Sequence, residues 1–308
     1  MMIHRRLVLA AGTAALGLAL CGPAFAQTGK LPVVASFSIL SDLLREVGGD
    51  RVEIATLVGP NGDAHVYQPS PADAKRLAGA KLVVVNGLGF EGWLDRLVKA
   101  SGTKATVAVA ARGVKPLESK EDEGHKGHKH DHGAVDPHAW QDVANVKLYV
   151  ANIRDALAAA DPDGKEAYAA RAGAYLARLD ALDAEIRTAV ARIPADRRRI
   201  VTSHDAFAYF GKAYGITFVS PQGVSTEAEV SARNVARIIR QIRADKIPAV
   251  FIENVSDPRL MERITKETGA KVGGRLYSDA LSAQDGPAGT YIDMMRSNIR
   301  ELSMALSS

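Results

Sequence analysis

The sequence predicts an α/β protein of two lobes, each built on a mostly parallel sheet, joined by one long rigid helix. Three observations carry this reading. Short β-rich runs alternate with helical stretches over residues 31–108, one long amphipathic pattern fills 165–193, and the alternation restarts at residue 199 and runs to the end. A chain of 308 residues with 47% apolar and 24% charged content suits about two domains better than one oversized core.

In the first half, LPVVASF leads into a helix over 39–47, VEIATLV into a helix over 71–78, and KLVVVNG into a helix over 90–100, with a further short run at 106–108. A helix over 143–160 stops at Asp161-Pro162. The long pattern then places Tyr168, Ala172, Tyr175, Leu179, Leu182, Ile186, Val190 and Ile193 at alternating steps of three and four, which is one face of a helix closed by Pro194. At about 1.5 Å per residue, roughly 28 residues make a strut of about 42 Å that limits hinge motion. Beyond it come RRIVTSH, a helix to residue 214, ITFVS, a helix over 229–245, PAVFIEN, a helix to residue 268, AKVGGRLY and a last helix over 289–306. The expected organisation is a signal peptide over 1–26, an N-terminal lobe over 27–162, a linker helix over 163–194 and a C-terminal lobe over 195–308.

The signal-peptide reading rests on Arg5 and Arg6, the apolar run from Leu7 to Leu20 and the small residues Ala24 and Ala26, with cleavage expected after Ala26 and a periplasmic product. Cys21 follows Leu20 and not a small residue, which disfavours lipid attachment there. Loss of Arg5 and Arg6 lowers Lys+Arg from 39 to 37 against 35 acids, so nothing in the charge points to nucleic acid or an anionic membrane. No run after the first approaches the roughly 18 apolar residues of a spanning helix, so no membrane insertion is expected. The single cysteine falls in the leader, so a metal site in the mature chain must use His, Asp or Glu.

Residues 118–133, ESKEDEGHKGHKHDHG, hold four of the eight histidines, His125, His128, His130 and His132, and lack the apolar content to build a core. They read as a flexible loop with two roles open to it, a solvated charged linker or a set of auxiliary weak metal sites that pass an ion inward; deletion of 118–133 without change in zinc uptake rate or stoichiometry would remove the second. Three histidines stand apart, His65 in GDAHVYQP, His138 in VDPHAWQD and His204 in VTSHDAF, each in a loop beside a strand. Loops at the carboxyl ends of parallel strands converge on one crevice. Asp279 in LYSDALS holds the matching place after the last strand, where an aspartate also serves as a helix cap. Three neutral imidazoles and one carboxylate make a closed tetrahedral shell suited to Zn²⁺. Glu91 and Trp93 read as packing and capping residues, and Asp136 and Asp142 as acceptors that orient His138. The glycines of DGPAGT lack the lysine of a phosphate-binding loop.

These segments, with NGLGFEGWLD at 86–95 and GPAGTYIDMMRSNI at 286–299, resemble the solute-binding proteins of zinc and manganese ABC importers, the family that includes the high-affinity zinc uptake protein. The likeness spans about residues 31–306. It implies one metal buried between two lobes, held by His65 of the H-x-Y-x-P-x-P motif, His138 of D-P-H-x-W, His204 of S-H-D-A-F and Asp279 of Y-S-D-A-L. It implies capture of Zn²⁺ by a monomer, delivery to a membrane permease and, as a further partner, a periplasmic zinc chaperone. Manganese members place a carboxylate at the third position, where this chain has His204; nitrogen there favours zinc, while Asp279 keeps Mn²⁺ as the alternative. A metal-dependent hydrolase needs an open coordination position and a general base, which a four-ligand shell does not supply. A metal-binding adhesin needs surface anchoring. Because imidazoles coordinate only when deprotonated, affinity is expected to fall as pH drops through the histidine range.

Overall fold

Seven residues of mostly β-branched and small apolar side chains, Leu31–Phe37, form the first strand (β1), and in the computed structural model it lies inside a sheet and is buried over its last five residues. The structure describes residues 29–119, 135–227 and 229–307. Strands β1, β2 (Val52–Val58), β3 (Leu82–Val85) and β4 (Thr106–Val109) make a parallel sheet in the order β2-β1-β3-β4. Val33 stands opposite Ile54 on one side and Leu82 on the other. The crossovers carry helices α1 (Ser38–Gly48), α2 (Pro71–Gly79) and α3 (Leu94–Ser101). Helix α2 opens with a capping box in which Ser70 and Asp73 satisfy each other's orphan backbone groups, and Pro71 sits where its missing N–H costs nothing.

A two-stranded antiparallel stem follows, β5 (Leu117–Glu118) with β6 (Val135–Asp136). It brackets the histidine-rich segment and counts Glu118 as paired backbone, one residue inside the loop boundary expected from composition. His125, His128, His130, His132 and the leader all lie outside the described residues.

Helices α4 (Val143–Ala160) and α5 (Lys165–Ala191) then pack against each other and return the chain to a second parallel sheet. Strands β7 (Arg199–Val201), β8 (Thr217–Val219), β9 (Ala249–Glu253) and β10 (Lys271–Leu276) take the order β10-β9-β7-β8. Helices α6 (Ala208–Tyr214), α7 (Ala232–Asp245), α8 (Arg259–Thr268) and α9 (Tyr291–Leu306) complete the lobe.

Helix α5 has 27 residues, about 40 Å, and buries the expected stripe from Tyr168 to Val190. It packs on α1 of the first lobe and on α6 and α9 of the second. One continuous apolar cluster therefore runs from the first sheet through α4 and α5 to α9, and a smaller cluster fills the space under α7 and α8. The start of α3 differs from the sequence reading by four residues. Gly87, Leu88 and Gly89 all take positive φ, and Phe90 closes a turn onto Gly87, so the chain turns sharply before it can coil. Helices α7 and α9 likewise start two or three residues late, behind the N-caps Ser231 and Thr290. Among the described residues no helix is long and apolar enough to cross a membrane.

Candidate metal centre

Each candidate residue is placed by a short turn beyond a strand. After β2, Asp63 accepts the backbone N–H of His65 at 2.9 Å, and the Trp93 indole donates to the Ala64 carbonyl at 2.7 Å, so the residue before the histidine is held from both sides. After β6 the same Asp-x-His turn recurs, with Asp136 accepting the His138 N–H at 2.9 Å. The Asn86 amide donates to the Pro137 carbonyl at 2.9 Å and fixes that turn to the first sheet. After β7, the His204 N–H donates to Glu253 of β9 at 3.0 Å. Beyond β10, the Ser278 carbonyl accepts both the Trp140 indole N–H and the Gln141 amide at 2.8 Å, so the peptide that carries Asp279 is held by the first lobe.

The four side chains meet in one place. Each of His65, His138, His204 and Asp279 offers one ligand atom, all within 4.8 Å of one another. The Nε2 atoms of His65 and His138 stand 3.2 Å apart. The Asp279 carboxylate lies 3.4 Å from His65 Nε2, 3.4 Å from His138 Nε2 and 3.1 Å from His204 Nε2. Donors bound at 2.0–2.1 Å around a tetrahedral ion lie about 3.3–3.4 Å from each other, so these edges match the shell of a small divalent cation.

The hydrogen-bond inventory points the same way. His138 Nδ1 faces Asp136 at 2.8 Å, and His204 Nδ1 approaches Glu253 at 2.5 Å, an ion-pair distance off the alignment of a regular hydrogen bond. Those carboxylates place the imidazole protons on Nδ1 and leave the Nε2 lone pairs turned inward. Both Asp279 oxygens are fully buried and receive no hydrogen bond. A buried carboxylate that receives no hydrogen bond, set among three Nε2 atoms, is a costly arrangement that a cation relieves.

The electrostatics are strongly coupled. Burial pushes the His65 imidazole below its usual range, against the pull of Asp279. Burial acts downward on His204 too, but the charges of Glu253 and Asp279 outweigh it and hold the ring well above the ordinary histidine value. Burial works to raise Asp279, and the neighbouring His204 and His138 reverse this and hold it well below the usual carboxylate range. Aromatic walls close the first-lobe side, with Phe90 edge-on to His65 at 4.8 Å and Trp140 edge-on to His138 at 5.3 Å.

Asp136 thus takes the orienting place expected of it, whereas Asp142 does not: it caps α4 by accepting the Ala144 N–H at 2.9 Å. Glu91 is half-buried and caps the turn before α3, accepting from Ser36 at 2.6 Å and from the Asn86 N–H at 2.7 Å. Burial keeps its carboxyl above the usual range. Glu253 was not visible as a site residue in the sequence, because it ends the apolar run AVFIE and reads as the edge of a core strand. The signal available was a buried strand that ends on an acid.

Residues 33–305 match the family model described as zinc-uptake complex component A, periplasmic (ZnuA). The manganese-binding lipoprotein MntA of Halalkalibacterium halodurans is 36% identical over 277 residues, which cover 90% of this chain and 89% of that protein. The iron-binding protein YfeA of Yersinia pestis is 35% identical over 270 residues, 88% of this chain and 84% of that protein. Among solved structures, the periplasmic zinc binding protein TroA of Treponema pallidum superposes with a TM-score of 0.83 at 29% identity, over 91% of this chain and 100% of that one. The manganese-bound periplasmic metal binding protein of Candidatus Liberibacter asiaticus gives 0.80 at 29% identity, over 90% and 100%. With the match running from the first strand to the last helix, the chain belongs to the zinc-uptake component A family, the substrate-binding components of metal ABC importers, which carry ions and are not enzymes.

Proposed function

We propose that this protein captures Zn²⁺ in the periplasm through His65, His138, His204 and Asp279 and delivers it to the permease of an ABC importer. The observation that supports this most directly is four donor-to-donor distances of 3.1 to 3.4 Å around a buried carboxylate that no hydrogen bond serves. Three nitrogen ligands to one oxygen site favour zinc over harder ions. Manganese is the second reading, favoured by the Asp279 carboxylate and by relatives named for manganese. Cleavage after Ala26 fits the leader, while the lipoprotein relatives make Cys21 the competing site, and the intact mass of the exported protein separates the two.

The test is metal content and competition titration of the mature chain beside His204→Ala. One zinc per chain, retained against excess manganese and held at least about a hundredfold less tightly by the variant, is the expected result. Retention of manganese against zinc moves the protein to the second reading. No stoichiometric metal of either kind removes the ligand set and the transport role together.

A further inference from the structure

The frame around the centre is fixed unevenly. On the Asp279 side the lobes are joined by buried bonds. Trp140 and Gln141 donate to the Ser278 carbonyl, the Leu281 N–H donates to Ser38 Oγ at 3.0 Å, and the Tyr291 hydroxyl donates to the Trp140 carbonyl at 2.8 Å. On the His65 side one backbone bond, from the Asn61 N–H to the Leu281 carbonyl at 2.8 Å, joins the lobes, and the side-chain bonds that accompany it lie at the rim. Asn254 donates to Asn61 at 3.2 Å, and the Thr226 hydroxyl donates to Asp63 Oδ2 at 2.6 Å.

The second of these bonds has a particular position. The other oxygen of Asp63 accepts the backbone N–H of His65. Residues 220–227 are anchored at their other end where the Gly223 carbonyl accepts the Asp205 N–H at 3.1 Å, next to His204. This turn therefore spans the gap between two candidate ligand loops that belong to different lobes. His65 is also the one ring of the three with residual exposure, 5% against 0% for His138 and His204.

We propose that Asp63 and Thr226 form a tether that sets how fast the ion leaves, with Asp63 a positioning residue whose two oxygens serve opposite lobes. The proposal rests on the four-ligand reading above. An ion leaves by shedding ligands one at a time, and the first to go is the ligand nearest solvent, here His65. His138, His204 and Asp279 sit on turns locked inside the molecule, whereas the His65 turn, fixed at Asn61 by Leu281 and at Ala64 by Trp93, is held to the second lobe beside the ligand by Thr226 at the rim. Breaking that bond lets His65 swing outward while α5 and the buried joints stay in place, so release needs no hinge between the lobes.

The experiment uses the mature full chain loaded with one equivalent of zinc, and follows zinc loss to excess EDTA by stopped flow for the wild type, Thr226→Val, Thr226→Ala and Thr226→Ser. A lost hydrogen bond to a carboxylate corresponds to about a tenfold faster release in Thr226→Val and Thr226→Ala. Thr226→Ser, which keeps the hydroxyl, should release at close to the wild-type rate. Zinc stoichiometry and the metal-free melting temperature should be unchanged in all three. Release at the wild-type rate from Thr226→Val or Thr226→Ala, or release from Thr226→Ser as fast as from those two, overturns the tether while the metal site stands. Absence of stoichiometric zinc and of stoichiometric manganese in the wild type overturns the ligand reading, and the tether with it.

Discussion

At the scale of single residues, two of the three inward-facing imidazoles, those of His138 and His204, have a carboxylate behind them. Asp136 serves His138 within one turn of chain, and Glu253 serves His204 from the neighbouring strand. Glu253 also accepts the His204 N–H, so it fixes both the ring and the peptide that carries it. Glu253→Gln should therefore weaken zinc binding about ten- to a hundredfold in a chelator competition, the usual effect of removing such an outer partner. Asp142→Asn should leave affinity unchanged, because Asp142 caps α4 and does not touch His138. Equal effects from the two substitutions would mean that Glu253 acts only through general stability. The four candidate ligands were legible in the sequence because each interrupts a loop just past a strand, where a polar residue has no packing reason to be a histidine. Glu253 was not, since a residue at the end of a buried strand reveals its partner only when the neighbouring strand is known.

At the scale of elements, the junction of α1 and α9 carries a titratable lock. Asp42 of α1 is buried and accepts the Tyr291 N–H at the first turn of α9 at 2.9 Å. Burial pushes its carboxyl up to about 6, against the lowering that this N–H supplies. A folded-state value above the unfolded reference of about 3.9 means that the native protein holds the proton more tightly. The stability from that proton is complete below about pH 4 and is lost as pH rises through about 6, a loss of roughly 3 kcal/mol at most. Asp42→Asn keeps an acceptor for Tyr291 and removes the buried charge. The metal-free variant should melt above the wild type at pH 7.5 and lose most of that advantage by pH 4.5; an equal difference at both values would exclude a buried charge as the cause. The long helix was readable because seven evenly stepped apolar residues fix one face over 27 positions. Strands β5 and β6 were not, since two residues each carry no period, and the start of α3 was displaced by the positive-φ turn at 87–89.

At the scale of the whole molecule, the lobes are not independent bodies on a flexible link. A single apolar cluster passes from one sheet to the other through α4 and α5, and Tyr291, Leu281 and Ser278 of the second lobe bond to Asp42, Ser38, Trp140 and Gln141 of the first. To swing the lobes apart would expose part of that cluster and unpair buried donors, a cost that movement of a single rim turn avoids. Loading and release must then be local, confined to segments that carry few buried contacts. The turns at 59–66 and 220–227 meet that description, because apart from the Asn61 N–H to Leu281 carbonyl bond their cross-lobe bonds lie at the rim. Small-angle scattering should therefore give the same radius of gyration with and without zinc. Hydrogen exchange should slow on zinc binding at 59–66 and 220–227 and stay unchanged along α5 and α9. A loaded form that is measurably more compact, with protection spread along α5, would mean that the strut bends and that the lobes close as rigid halves.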